Sequence, residues 1–406
     1  MKKLLLIFFL IGISRQVYAQ QVQYLSGTIK DNKGNVLPGA GIYISGYKIA
    51  TVSNNEGNYR LPLPSGNYDV LVQMIGFLPQ NQNITIIDQA IKLDIILKES
   101  IISLNEVVVK PDPNREYYVN FFKTNFIGIT PNAQQCKLLN PSVLNINYDE
   151  ETGILFINCT DFLIIENKAL GYKIKYLINN FQYNYKTKIV YFEGFPVYED
   201  LEGNRTRKKK WSKARLIAYN GSSQHFFKSL YDETSEQEGF KIFKIHEEVN
   251  VNRPDEELIR QKIKQFVISK SSASTVNSDS LTYWIGKKNL PKTISYLDKK
   301  PVLTDTLVHH KSNYIKYIDY TDILYIIYTK EKEGLAYQNS FQTKSINTAD
   351  DSSNQSSMVY LLIRPIYFYA LGNIYNPKSI LFEGYWAWEK IADSVPMDYK
   401  PVINAN

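Results

Sequence analysis

The stretch LSGTIKDNKGNVLPGAGIYISGYKIATVSNNEGNYRLPLPSGNYDVLVQMIGF, Leu25 to Phe77, decides the fold. Short β-type runs alternate in it with turn clusters: Asp31-Asn32-Lys33-Gly34, Pro38-Gly39, Asn54-Asn55-Glu56-Gly57 and Pro64-Ser65-Gly66. Asp and Asn side chains bond their own backbone a few residues on, and Gly supplies the positive φ that tight turns need. Such strands, at spacings of roughly ten residues, predict a small antiparallel β-sandwich, here over residues 23–99. YRLPLP and YDVLVQM are expected as hairpin arms around Ser65-Gly66-Asn67. Tyr68, Val70, Val72 and Met74 alternate onto the core face.

Upstream, MKKLLLIFFLIGISRQVYAQ has two lysines, an apolar run from Leu4 to Ile13, and then Val17-Tyr18-Ala19. These are the charged start, short apolar core and small-residue site of a secretory signal peptide over 1–19, cleaved after Ala19. The apolar core is far below the ~20 residues of a spanning helix. Met358–Tyr375 is the most apolar later stretch, but Arg364 and Pro365 break it, so no transmembrane span is expected in the mature chain. Downstream, SLNEVVVKPDPN (Ser103 to Asn114) reads as a β-branched run stopped by prolines, an interdomain linker over 100–113. With 31 Tyr and 19 Phe, the composition favours half-buried pleated surfaces.

Between Gly27 and Phe77 the motif set resembles the carboxypeptidase regulatory-like domain. Gly27, the Asp31/Gly34 turn, Leu37-Pro38-Gly39-Ala40, Asn55-Glu56-Gly57-Tyr59, Gly66-Tyr68 and Gly76-Phe77 carry the likeness. The resemblance implies a seven-stranded transthyretin/prealbumin-like sandwich without catalytic residues of its own. A metallocarboxypeptidase needs a His-x-x-Glu ligand pair. The four histidines, His225, His246, His309 and His310, begin none, so no metal and no cofactor are expected. LNEVVV (Leu104 to Val109) resembles the junction that leads, in TonB-dependent transporters of Bacteroidetes type, into plug and barrel. The 297 residues after Val109 are too few for a plug and 22 strands of about ten residues. Through IENKALGYKIKYLINNF, YFEGFPVYEDL, WSKARLIAYNGSSQHFFKSL and GYWAWEKIADSVPMDYKP, the remainder resembles a group of exported proteins of the same bacteria with no established activity.

The segment 114–406 reads as a larger β-rich α+β domain, with a sub-boundary near 270–280. NREYYVNFFKTNFIG (114–128) is expected as a helix, and 153–198 as successive strands. SKARLIAYNGSSQHFFKSLYDE is expected as one or two helices weakened at Gly221, and RPDEELIRQKIKQFV as a helix with Pro254 in its first turn. SKSSASTVNSDS (269–280) and Ile346–Ser357 are expected as loops, the latter mobile. TYWIGKK, YIKYIDYTDILYIIYTKE, SMVYLLIRPIYFYALG and SILFEGYWAW are expected as strands. The formal charge of +7 is scattered except in NRTRKKKWSKAR, Asn204 to Arg215. That patch is expected as a solvated basic loop or a contact for anionic envelope lipid or glycan. Nucleic acid is not an expected partner of an exported chain.

Cys136 and Cys159 either pair as a disulfide or stand as two buried thiols. Three constellations could carry chemistry. Ser222 and His225, with Arg215 nearby, form either a nucleophile and base or a helix cap and a packed histidine. Glu166 and Glu193 form either an acid/base pair or solvated strand-end carboxylates, with Glu383 weighed alike. Tyr385, Trp386 and Trp388 form either an aromatic platform for sugar or peptide or a core closing the last strand. The expected role is a non-enzymatic exported envelope protein, in the periplasm, at the outer membrane or on the cell surface, with a binding or structural/accessory role whose candidate partners are an outer-membrane protein or glycan. The alternative is an envelope hydrolase acting on glycan or peptide. Oligomeric state is not legible.

Overall fold

A computed structural model describes residues 22–100, 113–270, 277–340 and 353–401. The leader at 1–19 with Ala19, residues 101–112 of the linker, and 271–276 within the suggested sub-boundary lie outside them. Chain contacts group the described residues into two units. The first holds those up to Tyr219, with Tyr369–Leu371 and those from Lys390 on; the second holds Asn220–Phe368 and Gly372–Glu389. The division falls at Tyr219/Asn220.

The first unit opens with the sandwich: β1 (Gln23–Asp31), β2 (Gly41–Ile44), β3 (Ala50–Val52), β4 (Asn58–Leu63), β5 (Gly66–Gln73), β6 (Gln80–Ile86), β7 (Ile91–Lys92) and β8 (Ile95–Leu97). One sheet runs β4-β1-β7 with β8 also on β1; the other runs β3-β2-β5-β6. β7 and β8 follow one another parallel to β1, so eight segments fill seven strand positions. The break between them is where Gly27 is required: a Cβ there would meet the Leu93 carbonyl oxygen at 1.9 Å. The turns form as their residue types dictate. Asp31 Oδ1 accepts from the N–H groups of Lys33 and Asn35, both at 2.8 Å, and Asn54 Oδ1 accepts from Asn58 N at 2.8 Å. The hairpin expected at Ser65-Gly66-Asn67 is not one. β4 pairs with β1 and β5 with β2 and β6, so the turn carries the chain from one sheet to the other. Tyr68, Val70, Val72 and Met74 face the core with Leu25, Ile29, Ile42 and Ile86.

The rest of this unit comprises α1 (Arg115–Phe122), continued by a π-turn to Ile127, then β9 (Cys136–Leu138), β10 (Asn145–Asp149), β11 (Ile154–Asn158), β12 (Leu163–Asn167), β13 (Tyr172–Asn184), β14 (Val190–Asp200) and α2 (Arg205–Tyr219). β13 is the spine of a six-stranded sheet: β14 lines one edge, while β12 and β11 share the other in succession. Phe122 and Phe126 bury against Phe181 and Tyr176 of β13. The sandwich is joined to this sheet. Leu71 belongs to the second core, Tyr43 meets Phe162 edge-on, and Gly46 N donates to Pro196 O at 2.6 Å. The returning C-terminal segment ties both, with Met397 N donating to Gly46 O at 2.8 Å. The basic patch read as a loop is helical from Arg205, seated by buried Trp211, Ala218 and Tyr219.

The second unit contains α3 (Ser223–Tyr231), β15 (Phe240–Val249), α4 (Glu256–Lys270), α5 (Asn277–Asn289), β16 (Thr293–Leu297), α6 (Thr304–Leu307), β17 (Val308–His310), β18 (Lys316–Ile318), β19 (Ile323–Lys332), α7 (Leu335–Ser340), β20 (Asn354–Leu361), β21 (Ile366–Phe368), β22 (Ile380–Gly384) and α8 (Tyr385–Trp388). A five-stranded antiparallel sheet runs β16-β15-β19-β20-β22, beside a small β17-β18-β21 sheet. Phe226, Phe227 and Leu230 of α3 bury with Phe240, Ile242, Leu324 and Ile326. Four expectations are corrected. TYWIGKK and residues 277–280 are helix α5, residues 354–357 are strand, and YWAW is a helical turn. Pro254 is corrected as well: it precedes α4 instead of lying in its first turn, where the Glu257 N–H bonds to Asp255 Oδ1 at 2.8 Å. As expected, the helix pair α2/α3 breaks at Gly221, which sits at φ +72°.

Candidate functional site

Ser222 and His225 lie at the start of α3. Ser222 has extended backbone and its Oγ accepts from His225 N at 3.2 Å, which makes it the helix N-cap. The buried His225 ring accepts at Nδ1 from Gly221 N at 3.1 Å and faces Glu238 Oε2 with Nε2 at 3.5 Å. Phe240 and Tyr328 meet the ring edge-on. Burial pulls the His225 pKa below its usual value, and the Glu238 charge only partly opposes this. Gly221 also accepts from Trp386 Nε1 at 2.6 Å. The arrangement orients a helix start.

Arg215 belongs to the first unit. Its guanidinium donates to Leu170 O at 2.7 Å and Gly171 O at 2.9 Å, pairs with Asp200 at 2.8 Å and lies over the Tyr172 ring. Burial works against the Asp200 charge. The hydrogen bond from Lys48 and the Arg215 charge nevertheless hold its carboxyl below the usual range. These contacts join α2 to the β12–β13 turn.

Glu166 on β12 pairs with Lys168 at 3.2 Å and lies opposite Lys173. Glu193 on β14 accepts from Asn179 Nδ2 at 2.9 Å and from the Tyr191 hydroxyl, and lies opposite Asn180. From Lys173 to Asn180 is about 23 Å of strand, and the two glutamates flank β13 on opposite edges. A glycosidase pair stands at about 5–9.5 Å, so the acid/base pairing is overturned. Glu383 on β22 accepts from Tyr360 OH at 2.9 Å in the second unit. The aromatic platform is corrected as well: Tyr385, Trp386 and Trp388 are only 8 %, 8 % and 6 % exposed. Trp386 lies against Phe226 and Phe382, and Tyr385 and Trp388 lie against Tyr337.

The cysteines are free. Cys136 is level with Asn167 and Tyr172, whereas Cys159 accepts at Sγ from Ile178 N at 3.1 Å. Tyr172 and Ile178 are about 20 Å apart along β13, well beyond the roughly 7 Å Cα separation a disulfide tolerates. Burial pushes the Cys136 thiol up to about 12.

One polar cluster has no counterpart in the sequence reading. Asp393, nearly fully buried, accepts from Thr130 Oγ1 at 2.9 Å and Asn132 Nδ2 at 2.8 Å, and the adjoining Ala392 O accepts from Asn167 Nδ2 at 2.8 Å. Burial raises the Asp393 pKa to about 6 against those bonds and lowers that of neighbouring Lys390 to about 8. No local signal marks it, because Thr130 and Asp393 are 263 residues apart. The cluster fastens the C-terminal segment to the six-stranded sheet's unit. Among the described residues no group of three or more His, Cys, Asp or Glu is placed to hold a metal ion. No described helix is long and apolar enough to cross a membrane.

Residues 25–109 match the family model of the CarboxypepD_reg-like domain. Over 108 residues the chain is 32 % identical to the TonB-dependent receptor SusC of Bacteroides thetaiotaomicron, a match covering 27 % of this chain and 10 % of the receptor. The chain thus spans about a tenth of the length of the curated relative it matches. Among solved structures, 5-hydroxyisourate hydrolase of Klebsiella pneumoniae is 18 % identical, with 19 % of this chain and 91 % of that one covered and a TM-score of 0.17. A type II cohesin–X-dockerin complex of Acetivibrio cellulolyticus is 18 % identical, with 18 % and 56 % covered and a TM-score of 0.17. Residues 25–109 of this chain are a carboxypeptidase regulatory-like domain.

Proposed function

We propose that the chain is a non-enzymatic exported protein of the cell envelope, acting as a binding or accessory partner of an outer-membrane protein or glycan. The observation that carries this reading is the regulatory-like domain itself, together with the likeness of 108 residues of this chain to a TonB-dependent receptor. The candidate catalytic residues add support. Ser222 caps α3, His225 and Arg215 tie backbone, and Glu166 and Glu193 stand apart across β13. The test is cross-linking in intact cells, then fractionation and identification of what travels with the protein. A reproducible envelope partner is expected. A protein that travels alone and, once isolated, turns over a glycan or peptide until His225→Ala abolishes it would overturn the reading.

A further inference from the structure

Helix α2 is built against its own stability. Its sequence, RTRKKKWSKARLIAY, holds seven cations and no acid. Arg205, Arg207 and Lys208 occupy the first turn, where the helix dipole is positive and repels them. Arg205, Lys209 and Lys213 follow at intervals of four, so each like charge sits directly above the next. Among the described residues Arg215 is the one cation of α2 in an ion pair, and its partner Asp200 is shared with Lys48. The nearby Glu166 is taken by Lys168. Among the described residues no carboxylate pairs with Arg205, Lys209, Lys210 or Lys213 on the outer face.

The face is also held rigidly outward. Trp211 is buried and donates from Nε1 to Lys168 O at 2.9 Å, and Arg215 grips the Leu170 and Gly171 carbonyls. With Trp211, Ala218 and Tyr219 turned in, the stripe Arg205, Lys209, Lys213 and Ile217 turns out, with Lys210 beside it. Ile217 ends that stripe 63 % exposed. Sequences break local rules of this kind where function requires it.

We infer that the outward face of α2 is a docking surface for an anionic phospholipid layer, its lysines on the headgroup phosphates and Ile217 at the acyl boundary. Charge complementarity selects an anionic partner, since a layer of phosphates relieves the repulsion along the stripe. The exposed isoleucine in line with the lysines selects a lipid interface over a nucleic acid, whose backbone offers it no apolar seat. The inference rests on the envelope reading and adds the surface by which the protein would be held there.

The test is co-sedimentation of the full chain with phosphatidylglycerol-containing vesicles and with purely zwitterionic vesicles, at low and high salt. Wild type is compared with the triple variant Lys209→Glu, Lys210→Glu, Lys213→Glu. The apolar run 4–13 would bind both vesicle types and both proteins alike, so it cancels in that comparison. The expected result is salt-sensitive binding to anionic vesicles, weakened on the order of 100-fold in the variant, from about fivefold per lysine lost. All three lysines are exposed, and far-UV circular dichroism checks that the variant folds. Equal binding of variant and wild type to anionic vesicles, or tighter binding of wild type to duplex DNA than to anionic vesicles, would each overturn the inference. If wild type ignores vesicles yet still cross-links to an envelope protein in cells, the inference falls and the envelope reading stands. If both fail, both fall.

Discussion

Asp393 in the first unit and His225 in the second are each buried and tied by hydrogen bonds to their own unit, yet they answer acid in opposite senses. Thr130 and Asn132 favour the Asp393 carboxylate, and Glu238 favours the His225 imidazolium. In both cases burial outweighs the partner, and the neutral form fits best. A carboxyl becomes neutral by taking a proton and an imidazole by losing one, so a common cause produces opposite signs. Each is a polar tie, one fastening the C-terminal segment and the other shaping a helix start.

The comparison breaks first if the units do not respond separately to damage. Phe181 and Phe226 are fully buried, one in each unit. Truncation of either to Ala is expected to cost about 3–5 kcal/mol. Hydrogen exchange should then rise in β11–β14 for Phe181→Ala and in β15, β19 and β20 for Phe226→Ala. Equal loosening of both sets by either variant would mean that one cooperative body carries both ties.

Next in size is the pH response. Asp393 titrates near 6 in the folded chain and near 3.9 when unfolded. Between those values the folded state holds a proton the unfolded state has lost. Its stabilisation is therefore complete below about pH 4 and declines as pH rises through about 6, by about 3 kcal/mol. His225 titrates below 6.5 when folded, so its contribution is lost as pH falls through that value. The urea midpoint of wild type minus Asp393→Asn should fall from pH 4.5 to 6.5. Wild type minus His225→Gln should rise from pH 5 to 7. Two differences of the same sign would refute the shared cause.

The two ties also show what a single sequence can and cannot display. The sandwich was legible because Asp31, Gly34, Asn54 and Gly57 write their turns within four residues. Whether Ser65-Gly66 closes a hairpin or crosses between sheets depends on β1 and β2 competing for partners, which the turn residues do not encode. The first half of helix α2, Arg205 to Trp211, was hidden by its cations, whereas Ser212 to Tyr219 was legible as helix. Helix α5 was misread because Tyr283, Trp284 and Ile285 are β-type residues whose preference tertiary context overrode. The Glu166/Glu193 pairing failed because strand order, not sequence proximity, sets distance in a sheet. The break at Gly221, and a cap as one reading of Ser222, were legible because caps are local. The Asp393 clasp, closed across most of the chain, left no local trace.

The smallest effect sharpens the His225 side most. If Ser222 only caps α3, Ser222→Ala should cost about 1 kcal/mol, and Ser222→Asp should be nearly neutral because Asp caps as well as Ser. The helix dipole favours Asp at that end too. A hydroxyl nucleophile has no such equivalence, since a carboxylate in its place ends serine-type chemistry. Urea midpoints for the two variants, with exchange at the Phe226 and Phe227 amides, separate these roles without a known substrate. If Asp destabilises as much as Ala, the Ser222 hydroxyl makes a contact beyond the cap, and His225 beside it would have to be weighed again as its partner.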